Sequence, residues 1–239
     1  SLISWSYVGS IQAVSHIMET SILSTSTSGG KVLMVAMPRT TGFPGEIEVT
    51  RVQGALKKIV ESFRGWTFKP LDTPSKATVL YELSVADIVI FACHGVVDPM
   101  NPSNSGMLLK DGANGVPERL TFADLAHLSL KHVKLACLFA CSTAESSGLP
   151  LKDEVLHVTQ GFHLAGLPHV IGTLWPVDDS SCNAALIELF ETYFRDQDGE
   201  SVTSSFQNAV NKVRLKSNGR GIRGDFVSWA PFIKFGHFI

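Results

Sequence analysis

Five short apolar runs limit what this chain can fold into. They are Lys31 to Met37 (KVLMVAM), Ile88 to Cys93 (IVIFAC), Leu135 to Ala140 (LACLFA), His169 to Leu174 (HVIGTL) and Pro231 to Phe235 (PFIKF). Apolar strands of this length that do not alternate with polar residues belong in a parallel sheet buried on both faces. Trp66 to Lys69 reads as a further short strand. The segments between them carry helical spacing. Glu46 to Phe63 places Val49, Val52, Leu56, Ile59, Val60 and Phe63 on one face, and Pro74 to Leu83 has its proline near the start. Thr121 to Leu128 is a short helix with Thr121 as cap, and Asp153 to Ala165 is a helix ended by Gly166. Asp179 caps a helix running to about Phe194, and Ser204 to Leu215 is one more. Residues 7 to 24 also have helical spacing, ahead of a Ser/Thr/Gly linker from Ser24 to Gly30. Gly95 to Arg119 reads as a long irregular stretch with a hairpin around Met107 to Gly112, and Asn218 to Gly224 reads as mobile. The expected fold is α/β, a mostly parallel central sheet flanked by helices on both faces, forming a single domain over residues 1–239.

Composition narrows the function. The 239 residues are 44% hydrophobic and 18% charged, enough apolar material for a large core. A net charge of −2 argues against nucleic-acid binding, which needs a basic face. No apolar stretch approaches the roughly 20 residues needed to span a bilayer, so no membrane association is expected. The four cysteines form no C-x-x-C pair, and no glycosylation sequon with an allowed middle residue is present. That fits a reduced, cytoplasmic protein. The chain begins Ser1-Leu2-Ile3, without a basic flank or an initiator methionine. A fragment of a longer protein is expected, although a tag scar would look the same.

Chemistry is expected outside the carboxyl ends of the strands. One run ends in Cys93-His94-Gly95, another in Cys141-Ser142-Thr143-Ala144. If these strands are neighbours, an imidazole stands beside a thiol, the minimum for a thiol nucleophile with a proton carrier. Cys141 is followed by small residues that leave its sulfur accessible. Gly95 allows close backbone approach, and the N–H groups of Gly95 and Cys141 form a candidate oxyanion hole. Cys93, Cys137 and Cys182 read as ordinary buried apolar side chains. The eight histidines show no H-x-x-x-H pair, so no metal site is expected. Gly29-Gly30-Lys31 precedes a strand where a phosphate loop would follow one, and there is no G-x-S-x-G elbow.

With these residues in hand, the chain resembles the CHAT domain, a caspase-like group in the separase branch of cysteine peptidases. Phe91-Ala92-Cys93-His94-Gly95, Leu138 to Ala144 (LFACSTA) and Val170 to Asp179 (VIGTLWPVDD) are similar to its three main motifs, in order. Trp229-Ala230-Pro231-Phe232 resembles its closing strand, and Val35-Ala36-Met37-Pro38 followed by Gly45-Glu46 also fits. The resemblance implies a caspase–haemoglobinase fold and peptide-bond hydrolysis, with Cys141 as nucleophile and His94 protonating the leaving amine. In separases a similar Leu-Trp-x-Val-x-Asp loop contributes an acid to the pocket for the residue before the cut. That corresponds here to Asp179, with Asp178 beside it as a substrate-binding candidate. A helix cap at Asp179 and a hydrophobic pocket stand as alternatives. The resemblance further implies no metal or organic cofactor, a specific protein substrate, and control by helical-repeat or NTPase sensor domains in the same or a partner chain. A regulated defence or cell-death effector fits this pattern. The alternatives are a catalytically silent interaction domain of a larger sensor and a flavodoxin-like ligand-binding domain.

Overall fold

A computed structural model of the chain describes residues 29–43, 46–96, 98, 100–139, 161–174, 177–195, 202–217 and 228–236. The expected helix over 7–24, the Cys141 loop, most of Asp153 to Ala165 and the segment Asn218 to Gly224 lie outside them.

The apolar runs form the central sheet. Its strands are β1 (Gly30–Ala36), β2 (Trp66–Asp72), β3 (Ile88–Ala92), β7 (Leu135–Leu138), β8 (His169–Thr173) and β9 (Phe232–Gly236), in the order β2-β1-β3-β7-β8-β9. All neighbours run parallel except β9, which pairs antiparallel with β8 at the edge. The strands of the middle are sealed on both sides. Val32 to Ala36 and Ile88 to Phe91 have no exposed surface, which is why their sequence shows no alternation. β2 is the opposite edge; it buries only Phe68 fully and tolerates Pro70, which a central strand would not.

Helices cover both faces. On one, α1 (Thr50–Glu61) presents Val52, Leu56 and Val60, spaced by four, beside Leu186, Leu189, Phe190 and Phe194 of α4 (Asp179–Arg195) and Val202 and Ala209 of α5 (Val202–Ser217). On the other lie Val79 and Leu83 of α2 (Lys76–Leu83), Leu125 of α3 (Phe122–Ala126), and Phe162 in a helical turn over 161–164. Local chemistry starts these helices as the sequence indicates. Ser75 caps α2 by accepting from the Thr78 N–H, directly after Pro74. Thr121 and Asp124 form a reciprocal capping box on α3.

Two expectations need correction. The stretch Gly95 to Arg119 is not mainly irregular: β4 (Gly95–Val96), β5 (Gly106–Asp111) and β6 (Pro117–Thr121) form a separate antiparallel sheet. Gly106 permits it, because a Cβ there would sit 2.1 Å from the Leu120 carbonyl oxygen. The second concerns α4. Asp178, not Asp179, is its cap: one Asp178 carboxylate oxygen accepts from the Ser181 N–H at 2.9 Å, and its carbonyl accepts from the N–H groups of Ser181 and Cys182. Asp179 is already inside the first turn, with its side chain turned to a different partner.

Candidate active site

Chain order and strand order conflict between β1 and β3. From β1 the chain passes over one face to β2, then over the other face to β3 on the far side of β1. Such a switch point opens a crevice at the carboxyl ends of the two strands. His94 stands there, two residues past the end of β3. The Met37 N–H donates to the Ala92 carbonyl at 2.9 Å, holding the exits of β1 and β3 together.

Side-chain alternation along β3 decides what faces the helices. Ile88, Ile90 and Ala92 belong to the face covered by α1 and α4, whereas Val89, Phe91 and Cys93 belong to the opposite face. Cys93 and Cys137 are fully buried, as expected of apolar packing residues. Burial pushes the Cys137 thiol far above its ordinary range, so it supplies no thiolate. Cys182 is half-buried on α4. Among the described residues, these three cysteines are free of disulfides.

The His94 side chain is 3% exposed. Its imidazole stacks on the Phe43 ring, with centroids 5.2 Å apart and planes at 22°. Its carbonyl accepts from the Leu108 N–H at 2.7 Å, which ties the exit of β3 to the β5–β6 hairpin. Burial pushes the imidazole pKa below the ordinary value, and the charge of Asp179 pulls it partly back. His94 and Asp179, 85 residues apart, are thus brought to the same place. Gly95 follows as the first residue of β4.

The two aspartates are not equivalent. Burial acts to raise the Asp178 pKa, but hydrogen bonds from Ser180 and Ser181 outweigh it and hold the carboxyl below its usual range. That carboxylate is occupied by the helix. Asp179 instead accepts the Glu48 N–H through Oδ2 at 2.9 Å, while Asn183 Nδ2 donates to the Glu48 carbonyl at 3.1 Å. The loop after β1 is therefore pinned to the start of α4. Phe43, Glu48 and Asn183 were not singled out by the sequence reading. A signal existed for Phe43 alone: it is a lone aromatic inside the Pro38 to Gly45 loop. Cys141 lies outside the described residues.

The sheet order and its two covered faces define an α/β fold also seen in known peptidases. In a crystal structure of the Saccharomyces cerevisiae separase–securin complex, the matched chain is 17% identical with a TM-score of 0.57. The match covers 98% of this chain and 14% of that one. The Arg-specific cysteine proteinase gingipain R is 10% identical with a TM-score of 0.54, over 87% of this chain and 46% of that one. The Drosophila initiator caspase Dronc aligns at 10% identity and a TM-score of 0.49, over 87% of this chain and 79% of that one. No curated protein sequence matches. The family model described as CHAT domain matches residues 5–237, and the chain belongs to that family. It spans about one-seventh of the matched chain in the separase–securin complex.

Proposed function

We propose that this chain is a cysteine endopeptidase domain that cuts a specific protein substrate with a Cys141–His94 dyad. The observation carrying this reading is the register of β3 on β7. Ile88 lies opposite Leu135 and Phe91 opposite Leu138, an offset of 47 positions. His94 and Cys141 are separated by the same 47. Partners in parallel register project to the same face. That register sets the exits of the two strands side by side, and in the sequence Cys141 follows Leu138 by three positions as His94 follows Phe91 by three. The Phe139 N–H bond to the Phe91 carbonyl, 2.9 Å, carries the ladder one residue in that direction.

The chemistry follows from the residue types. The Cys141 thiolate attacks the carbonyl carbon of the scissile bond, and the N–H groups of Gly95 and Cys141 hold the oxyanion. As the C–N bond breaks, His94 gives its proton to the leaving amine. Water then hydrolyses the thioester, with His94 taking the proton back. No metal or organic cofactor enters. Asp179 favours a cationic side chain before the cut, and Asp178 supports it by starting the helix. The match to a small part of a longer chain supports a domain within a larger protein, and repeat or NTPase sensor segments are the controlling parts of this proposal. A regulated cytoplasmic defence or cell-death effector is the setting in which that arrangement makes sense. One observation favours the silent interaction domain instead: His94 is almost wholly buried.

Peptide-library and candidate-substrate cleavage decides between them. Wild type cuts, and Cys141→Ala and His94→Ala lose activity by at least about 10³-fold. Equal activity in wild type and Cys141→Ala would remove Cys141 from the mechanism.

A further inference from the structure

Phe43 is out of place for the loop that carries it. Thr41 and Gly42 beside it are exposed, and Gly42 sits at φ 84°. Among the described residues, Phe43 belongs to none of the three apolar clusters that pack the sheet and its helices. Its ring is half-buried because it covers the imidazole of His94. The loop is held in several ways. The Ile47 N–H closes its base on the Pro38 carbonyl at 2.9 Å, and Arg39 pairs with Glu46 at 2.8 Å. The Thr41 hydroxyl donates to Asp111 at 2.7 Å, reaching the β5–β6 hairpin. Asp179 and Asn183 grip the two backbone groups of Glu48 from α4.

We propose that Phe43 is a positioning residue for His94. Its ring, stacked at 5.2 Å, fixes the plane of the imidazole at the end of β3. It also offers its π face to the imidazolium that forms whenever His94 carries the proton. An aromatic face attracts a cation above it. The Asp179 carboxylate, tied to the same loop, acts on His94 in the same sense, and burial opposes both. The loop thus joins three elements so that one ring meets one imidazole. The inference rests on His94 as the proton carrier, yet its geometric half does not require turnover.

The test compares Phe43→Leu, Phe43→Trp and Asn183→Ala with wild type in the full chain. Two readouts are taken: NMR titration of the His94 imidazole, and kcat and KM on a cleaved peptide. Leucine keeps the apolar cover and removes the π face. We expect Phe43→Leu to titrate His94 lower than wild type and to lose about 10-fold in kcat with KM unchanged. Phe43→Trp restores both. Asn183→Ala, which loosens the loop without touching either ring, shifts kcat the same way by less, and adds little on top of Phe43→Leu. Phe43→Leu that is folded and equals wild type in both readouts overturns the proposal, since the ring would then be mere filler. If wild type fails to cut any substrate, the peptidase reading falls, and the titration still decides the role of Phe43.

Discussion

Replacing Asp178 and Asp179 one at a time separates two carboxylates that adjoin in sequence. Asp178 accepts from Ser181 N–H and the Ser180 hydroxyl, and so satisfies the exposed donors at the start of a 17-residue helix. Truncating such a cap costs about 0.5–2 kcal/mol, typically about 1. Either alanine variant also removes one negative charge from the positive end of the helix, about 0.3–1 kcal/mol. That contribution is common to both and cancels between them. Asp179→Ala removes the acceptor of one Glu48 N–H, a bond in exposed surroundings that water replaces. The difference between the variants is therefore the cap, about 1 kcal/mol. A chain of this size moves its Tm by about 2–4 °C per kcal/mol. Thermal unfolding followed by circular dichroism at pH 7 should place Asp178→Ala about 2–4 °C below Asp179→Ala. Peptide cleavage should show the reverse ranking, with the preference for a cation before the cut lost in Asp179→Ala and kept in Asp178→Ala. An Asp179→Ala variant that melts below Asp178→Ala would refute the assignment of the cap.

Gly106→Ala places a Cβ 2.1 Å from the Leu120 carbonyl oxygen, so β5 and β6 must part. The expected loss is about 1–3 kcal/mol. Hydrogen exchange should show reduced protection of the Leu108 N–H that holds the His94 carbonyl; unchanged protection would contradict it. The histidines set a pH dependence. Burial holds both His94 and His163 below the ordinary histidine pKa of about 6.5. A depressed pKa means that the fold favours the neutral ring. Its stability contribution is full above about pH 6.5 and is lost as pH falls through that value toward the folded pKa. The Tm should drop between pH 6.5 and 5, less steeply in His163→Gln, and a flat profile in wild type would contradict this.

The parallel core was legible because full burial on both faces leaves an unbroken apolar run, as in Val32 to Ala36 and Ile88 to Phe91. The position of His94 at a strand exit was legible for the same reason. The direction of β9 was not, since an apolar run reads alike either way; only its place beside β8 fixes it as antiparallel. The β5–β6 hairpin was legible around Met107 to Gly112, but the three-stranded sheet was not, because its first strand is only two residues, Gly95 and Val96. The choice between Asp178 and Asp179 as cap depends on where the chain turns into α4, and either residue type caps equally well. Contacts such as Glu48 with Asp179, 131 positions apart, have no local signature. The role of Phe43 arises from the same long-range closure.

Site-resolved alkylation tests the dyad most directly. Iodoacetamide is applied across pH 5–9 to wild type and His94→Ala, and each cysteine is followed by mass spectrometry. Cys141 should react at least about 10-fold faster than Cys93, Cys137 and Cys182, with an apparent pKa below the roughly 8.5 of a free thiol. His94→Ala should return that apparent pKa to the free-thiol range and slow Cys141 at neutral pH. A Cys141 that reacts like an unactivated thiol, equally with and without His94, would contradict the account.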